Sequence, residues 1–193
     1  MKRLDSLLNE NLLELGTVLQ SIGIEEREIF SHIQTEVVQR LEAGGKIFWC
    51  GNGGSAAESS HMAAELLGRF KTNRKSLPSI NLTADNSVVT CIANDFGYEN
   101  IYSRQLEGLG NNNDVLVVFS TSGESLNTLN AIETANKLGI LSISFLGKSG
   151  GKAKDISSLS LVVKSNTTAR IQEIHQLLGQ TLCEAIEIGL GIV

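Results

Sequence analysis

Residues 46–66 read KIFWCGNGGSAAESSHMAAEL, and this stretch marks the clearest change of pattern in the chain. KIFWC (46–50) is a short apolar run, GNGGS (51–55) is rich in glycine, and a helical pattern then continues to about Phe70. A continuous apolar run bounded by turn residues is typical of a strand that is buried on both faces. The stretch therefore predicts a strand, a tight loop and a helix in succession.

The same alternation continues through the rest of the chain. Further strands are predicted at 79–83, 114–120, 140–147 and 159–163. Helices are predicted at 88–95, 98–110, 126–138 and 168–190. A loop is predicted at the GKSGG that follows the fourth strand. Apolar strands separated by helices indicate a parallel sheet that is covered on both faces. With right-handed crossovers, this predicts an α/β fold, a three-layer, doubly wound parallel sheet of flavodoxin-like type.

Two amphipathic helices precede the first strand and form an N-terminal helical extension. Apolar residues recur at helical spacing over 4–22 and again over 25–43, where Gly44 and Gly45 end the pattern. No linker, low-complexity tract or repeat divides the sequence. We therefore expect one domain over 1–193, with the helices of 1–43 packed on each other or on another subunit, and an α/β core with a C-terminal helix over 44–193.

Composition excludes several classes of function. The 193 residues carry a net charge of −5, which argues against nucleic acid as the main partner because phosphate neutralisation needs a basic surface. No apolar run approaches the ~20 residues of a membrane span, and the N-terminus has no signal-peptide core. Three widely spaced cysteines without a CxxC pair suit a reducing compartment. The sequence thus predicts a cytoplasmic protein without a membrane or nucleic-acid partner.

The loop STSGES (120–125) follows a predicted strand and opens a helix. Four hydroxyls, those of Ser120, Thr121, Ser122 and Ser125, surround first-turn N–H groups that have no partner within the helix. Such a helix N-terminus suits a phosphate group. The loop lacks the lysine and the spacing of a nucleotide P-loop, so a phosphate monoester is the better candidate. A simple Ser/Thr-capped turn is the alternative interpretation.

The loop GNGGS (51–55) has the same placement between a strand and a helix. Its glycines do not have GxGxxG spacing, so a nicotinamide cofactor is not indicated. Gly53 and Gly54 would let a ligand approach the backbone closely, and Asn52 and Ser55 can bond hydroxyls. A tight turn without a ligand remains the alternative.

Titratable and amide side chains form two further patterns. His61 and Glu65 are four residues apart and share one face of the predicted helix, where they could bind a divalent metal or, in the case of Glu65, act as a base. Gln172, Gln176 and Gln180 form a polar arc on the last helix. A surface contact for the first pair, and a merely solvated helix face for the second, are the alternatives. His175 is expected to be a packed, hydrogen-bonded histidine.

Taken in order, these segments resemble the sugar isomerase (SIS) domain family and, within it, the phosphoheptose isomerases. The resemblance rests on GKIFWCGNGGSAAESSHMAAELLGRF (45–70), ANDFG (93–97), STSGES (120–125) and ARIQEIH (169–175), and it covers nearly the whole chain. It implies a homotetramer that converts sedoheptulose 7-phosphate to D-glycero-D-manno-heptose 7-phosphate through an enediol, for bacterial surface heptose synthesis.

The resemblance also implies roles for individual residues. Phosphate would be held by Ser120, Thr121, Ser122 and Ser125, and the sugar would be lined by Asn52, Gly53, Gly54, Ser55, Asn94 and Asp95, with Glu65 and Gln172 also touching substrate. One zinc ion per subunit would be bound by His61, Glu65 and Gln172, with Gln180 at a fourth position. Glu65 would be the catalytic base.

The sequence departs from the family at one position, because Gln180 stands where the family has a second catalytic histidine. An amide does not titrate near neutral pH and cannot transfer protons as imidazole does. A reduced rate is therefore expected, and Gln180 marks either a natural variant with an altered mechanism or substrate or a residue replaced deliberately to trap a complex. The alternative is a non-catalytic SIS protein that binds a phosphosugar or a replication initiator protein; retention of Glu65 favours the enzyme. A phosphosugar sensor joined to a transcription factor is not favoured, because no DNA-binding segment flanks the domain.

Overall fold

The computed structural model describes the backbone of residues 2–193 and the side chains of residues 4–193. Its sheet has five parallel strands: β1 (Ile47–Gly51), β2 (Ser79–Asn81), β3 (Val115–Ser120), β4 (Leu141–Gly147) and β5 (Leu159–Val163). Their order is β2-β1-β3-β4-β5, so the direction of winding reverses between β1 and β3. This is the flavodoxin-like order, and the predicted doubly wound sheet is confirmed.

Eight α-helices cover and extend the sheet over the described residues. They are α1 (Lys2–Gln20), α2 (Ile24–Glu42), α3 (Gly54–Leu67), α4 (Asn86–Phe96), α5 (Ser103–Leu109), α6 (Leu126–Lys137), α7 (Gly151–Ile156) and α8 (Thr168–Gly189). None of them is long and apolar enough to cross a membrane.

Successive residues of each central strand point to opposite faces and form two cores. Ile47 and Trp49 of β1 join the core beneath α3, α8 and the N-terminal helices, whereas Phe48 and Cys50 join the core beneath α5, α6 and α7. Every residue of β1, β3 and β4 is buried, because helices lie on both sides. This explains why the strands lack polar alternation.

The N-terminal helices are only partly buried in the single chain. α2 lies against α8 and β5 through Ile33 and Val37, and α1 contacts α8, with Val18 as its buried residue. The N-terminal part of α1 exposes at least half of five leucine side chains, at positions 4, 7, 8, 12 and 13. An apolar surface of this kind is typical of a helix that packs against another chain.

Two predicted elements differ from the structure. The single helix expected over 98–110 is a 3₁₀ turn, Tyr98–Asn100, followed by the separate helix α5. Ile101 and Tyr102 at the junction are buried, and the Tyr102 hydroxyl donates to the Gly51 carbonyl at 2.5 Å, so core packing overrides helical spacing there. The short helix α7, which begins at the last glycine of GKSGG, was not predicted because six residues are too few for a periodic signal.

Candidate functional site

A cavity of about 370 Å³ lies at the carboxyl ends of β1 and β3, where the strand order reverses. Two loops border it: the glycine loop (residues 52–55) after β1 and the serine loop (residues 120–125) at the end of β3. The lining residues are Asn52, Gly54, Ser55, Phe119, Ser120, Thr121, Ser122, Ser125, Thr168 and Gln172. In doubly wound sheets this is the place where ligands bind.

The serine loop is held by its own hydroxyls and by glycine geometry. The backbone N–H of Gly123 donates to Ser120 Oγ at 3.0 Å, and that of Glu124 donates to Ser122 Oγ at 3.2 Å. Gly123 has φ +66°, and a Cβ there would lie 1.9 Å from the carbonyl oxygen of Gly150. Both hydroxyls act as acceptors within the loop, so each keeps its O–H for donation to a ligand oxygen.

Three helix N-termini meet at this cavity. α3 begins at Gly54, α6 follows Ser125 and α8 begins at Thr168, and all three residues line the cavity. Neither Ser125 nor Thr167 caps its helix with its side chain. Unpaired N–H groups at the starts of α6 and α8 and the positive ends of three helix dipoles therefore face one space, and this favours an anion. No Lys or Arg side chain is among the lining residues that the structure describes.

The glycine loop is shaped by close contact with α8. Gly53 has φ +58°, and a Cβ on Gly54 would lie only 2.2 Å from Nε2 of Gln172. Gln172 thus reaches the loop only because residue 54 has no side chain. Asn52, Gly54, Ser55 and Gln172, four of the predicted substrate-binding residues, line the same cavity as the serine loop.

His61 and Glu65 lie further along α3 and form a hydrogen-bonded chain with α8. His61 Nε2 is 2.9 Å from Glu65 Oε1, and Gln176 Nε2 is 2.9 Å from His61 Nδ1. Because an amide nitrogen only donates, Nδ1 accepts and the ring proton sits on Nε2, facing the carboxylate. At about 1.5 Å of rise per residue, His61 is ~9 Å along the helix from Ser55. A ligand that touches both the serine loop and Glu65 must therefore be extended.

Three other predicted residues lie away from these contacts. Asn94 and Asp95 do not line the cavity: on the exposed face of α4, Asn94 Nδ2 donates to Asp95 Oδ1 at 2.7 Å. Gln180 is partly buried on α8, and no hydrogen bond joins it to His61 or Glu65 within residues 4–193. Their roles toward sugar or metal stay predictions.

Burial shifts the pKa of two groups near the site. Burial raises the pKa of Glu58 to about 7, against the opposing effect of a hydrogen bond from Ser55. Burial lowers the pKa of His175 to about 4, although a hydrogen bond from its ring to the Leu146 carbonyl acts in the other direction. His175 is a neutral core histidine between Phe119 and Phe145, as expected from the sequence.

Sequence reasoning missed three contributors to the site. Gln176 was recognised only as part of a polar arc, Thr168 only as the start of a helix, and Asn127 not at all. Asn127, in the first turn of α6, exchanges two hydrogen bonds with Asn52. A polar residue two positions after Ser125, which precedes the helix, is the one signal that could have suggested it.

Comparisons with known proteins agree with this architecture. The SIS domain model matches residues 13–147. A phosphoheptose isomerase of Helicobacter pylori is 45% identical over 95% of this chain and 96% of its own length, and one of Nitratiruptor sp. is 50% identical over 93% and 96%. The solved structure of a phosphoheptose isomerase from Francisella tularensis matches with a TM-score of 0.92 at 34% identity, over 97% of this chain and 100% of its own.

Proposed function

This chain belongs to the phosphoheptose isomerases of the SIS domain family, and we propose that it interconverts sedoheptulose 7-phosphate and D-glycero-D-manno-heptose 7-phosphate. The observation that carries the proposal is the cavity shared by the glycine and serine loops, with Glu65 outside its lining but further along α3, the helix that begins at the cavity. A seven-carbon chain with a terminal phosphate has the extended shape that this separation requires.

The serine loop would bind the phosphate and fix the far end of the substrate. Donors from Ser120, Ser122 and Ser125, and the N-termini of α6 and α8, surround that end of the cavity. Sugar hydroxyls would face the glycine loop. Such positioning accounts for much of the rate in isomerases because the reacting carbons are held against the base.

Glu65 would transfer the proton between C1 and C2. The carboxylate removes a proton from the carbon next to the carbonyl, which leaves an enediolate. One proton is added to the former carbonyl oxygen, one leaves the neighbouring hydroxyl, and Glu65 returns its proton to the other carbon. His61 Nε2–H donates to Glu65 and fixes its orientation. The oxygens also need proton donors, and Gln180 cannot titrate in that role. We therefore expect a rate lower by roughly 10²–10⁴-fold than that of a site with imidazole at position 180, unless another group substitutes.

The residues present fit a zinc ion in part. Zinc would replace the proton that lies between His61 Nε2 and Glu65 Oε1, which are 2.9 Å apart, and imidazole and carboxylate are ligands that zinc prefers. No third His, Cys, Asp or Glu joins them among the described side chains, so Gln172 and Gln180 would complete the set through weaker amide oxygens. Bound zinc would supply Lewis-acid stabilisation of charge on the substrate oxygens. We include one zinc ion per subunit in the proposal.

Metal analysis of the purified protein tests this part independently of activity. We expect about one zinc per chain, and loss of most of it in His61→Ala. His32→Ala changes an exposed histidine on α2 and is the matched control. Equal zinc content in both variants would remove His61 from the ligand set.

A coupled assay with sedoheptulose 7-phosphate tests the reaction itself. We expect Glu65→Gln to lower kcat by at least ~10²-fold, because the base is lost. Glu107→Gln, which neutralises an exposed carboxylate on α5, should leave it unchanged. Gln180→His should raise it, because imidazole restores a titrating group.

The outcomes separate this proposal from the alternative. If no folded variant turns over the substrate, including Gln180→His, the isomerase proposal is wrong. A protein that binds the sugar phosphate without turnover would then be the non-catalytic SIS relative.

A homotetramer and a role in bacterial surface heptose synthesis complete the proposal. The five exposed leucines of α1 support assembly, since an apolar helix surface of this size is costly in water. The pathway is proposed from the family alone.

A further inference from the structure

A pair of asparagine side chains joins the two loops of the cavity. Asn52 Nδ2 donates to Asn127 Oδ1 at 2.9 Å, and Asn127 Nδ2 donates back to Asn52 Oδ1 at 2.8 Å. Asn52 belongs to the glycine loop after β1, and Asn127 lies just beyond the serine loop in the first turn of α6. Among side chains 4–193, no other hydrogen bond links residues 51–55 to residues 120–128.

The orientation of the Asn52 amide is fixed by a further donor. The Tyr98 hydroxyl donates to its Oδ1 at 3.0 Å, whereas the Tyr102 hydroxyl, 3.4 Å away, gives its single proton to the Gly51 carbonyl. With Asn127 and Tyr98 both donating to the oxygen, a flip of the amide would lose these hydrogen bonds. The pair is therefore a defined junction, in which Asn52 contacts the cavity and its partner holds it in place.

Asn127 is enclosed and does not reach a ligand in the cavity. Its side chain is 2% exposed, and its Oδ1 accepts both Asn52 Nδ2 and the backbone N–H of Thr128. It is absent from the cavity lining. Any effect of Asn127 on the reaction must therefore act through Asn52, so it is a positioning residue.

We propose that Asn127 sets the glycine loop in register with the serine loop, so that a substrate anchored by its phosphate presents its reacting carbons to Glu65. The proposal rests on the function proposed above. Removing the pair leaves the groups that would bind the phosphate, namely the hydroxyls of the serine loop and the first amides of α6. Removing the pair also frees the glycine loop to move. A misplacement of the reacting carbons by about 1 Å costs up to ~10²-fold in rate.

The variant Asn127→Leu tests the positioning role of Asn127, because it changes the size of the side chain little and its charge not at all. The matched control is Asn136→Leu, which removes an asparagine from the other end of α6, where its Nδ2 donates to the Ile156 carbonyl. We expect Asn127→Leu to lower kcat by about 10–100-fold while the dissociation constant of inorganic phosphate changes less than about twofold. The control should change neither. Should Asn127→Leu not fold, Asn127→Ala, a better helix former, carries the same test.

Hydrogen exchange gives a readout that does not depend on turnover. In the starting protein, inorganic phosphate should slow exchange in peptides covering both 121–127 and 52–56. In Asn127→Leu we expect protection of the first peptide to remain and that of the second to disappear. Protection of both peptides in the variant would overturn the positioning role, and so would a loss of phosphate affinity as large as the loss in kcat. If neither the starting protein nor Gln180→His shows isomerase activity, the proposed function fails, and the exchange result still decides the role of Asn127.

Discussion

The buried ion pair between Arg74 and Glu187 supports a sharp prediction about stability. The two side chains are 4% and 0% exposed, and Arg74 Nε lies 2.7 Å from Glu187 Oε1. Arg74 also donates to the backbone carbonyls of Glu65 and Leu66 at the end of α3. The pair thus ties the end of the helix that carries Glu65 to α8.

Glu187→Gln keeps the shape of the side chain and removes its charge. Breaking one partner of a buried ion pair typically costs about 3–5 kcal/mol, because the remaining charge is left uncompensated. Arg74 keeps its carbonyl partners in the variant, so we expect the lower end, about 3 kcal/mol. For a domain of this size that corresponds to a fall in Tm of roughly 6–12 °C.

Thermal unfolding followed by circular dichroism measures this shift. The matched control is Glu184→Gln, one turn earlier on α8, where the carboxylate pairs with Lys71 and both side chains are well exposed. Exposed pairs contribute at most about 1 kcal/mol, so its Tm should fall by no more than ~4 °C. Equal shifts for the two variants would refute the reasoning that burial makes the Arg74 pair costly to break.

The same pair predicts a pH dependence. Burial alone would raise the pKa of Glu187, but hydrogen bonds from Arg74 and from the backbone N–H groups of residues 71 and 70 outweigh it and hold the pKa below 4.5. A lowered pKa contributes stability above the unfolded value, and the contribution is lost as the pH falls through the folded value. The difference in stability between the starting protein and Glu187→Gln should therefore shrink below about pH 4.5.

Three further predictions concern the site and the assembly. Gly54→Ala should lower kcat by at least ~10-fold with little change in Tm, because the new Cβ displaces the end of the Gln172 side chain rather than backbone. Kinetics and melting curves measured in parallel check this prediction. An unchanged kcat would contradict a role for the contact between Gly54 and Gln172. Because folding raises the pKa of Glu58, the protonated side chain contributes stability to the fold. This contribution is fully present below the pKa of the unfolded state, near 4.5, and is lost as the pH rises through about 7. Glu58→Gln should therefore flatten the fall in unfolding free energy between those pH values, measured by urea titration, and an unchanged slope would contradict the shift. Leu12→Glu should give a smaller assembly in sedimentation, whereas Leu67→Glu, at an exposed leucine on α3, should not.

Much of the fold could be predicted from sequence because its central strands are buried on both faces. Runs such as KIFWC and DVLVVFS show no polar alternation, and a loop rich in glycine, or in serine and threonine, follows each of them where the strand ends. The two loops were thus placed at the correct edge of the sheet. The exposure of Asn94 and Asp95 could not be predicted in this way, because α4 has no buried residue and its spacing does not indicate which face meets the sheet.

The contacts that complete the site depend on tertiary structure. Asn52 and Asn127 are 75 residues apart, and Gln176 is 115 residues from His61. Each pair meets only because β1 and β3 are neighbours and α3 lies beside α8. Periodicity reports which face of an element is buried, but not which element covers it. These partners therefore had to be read from the structure.

The meeting of three helix N-termini at one cavity also bears on how the chain reaches its native state. The cavity takes residues from 52–55, 119–125 and 168–172, so it exists only after β1 and β3 have paired and the last helix has docked. Contacts between such distant segments form late, because closing the chain between them costs conformational entropy before the new contacts compensate for it. A phosphate compound would bind the completed fold and not its precursors, and would draw the equilibrium toward it. The substrate of this protein would thus also act as a ligand that protects newly made chains from unfolding.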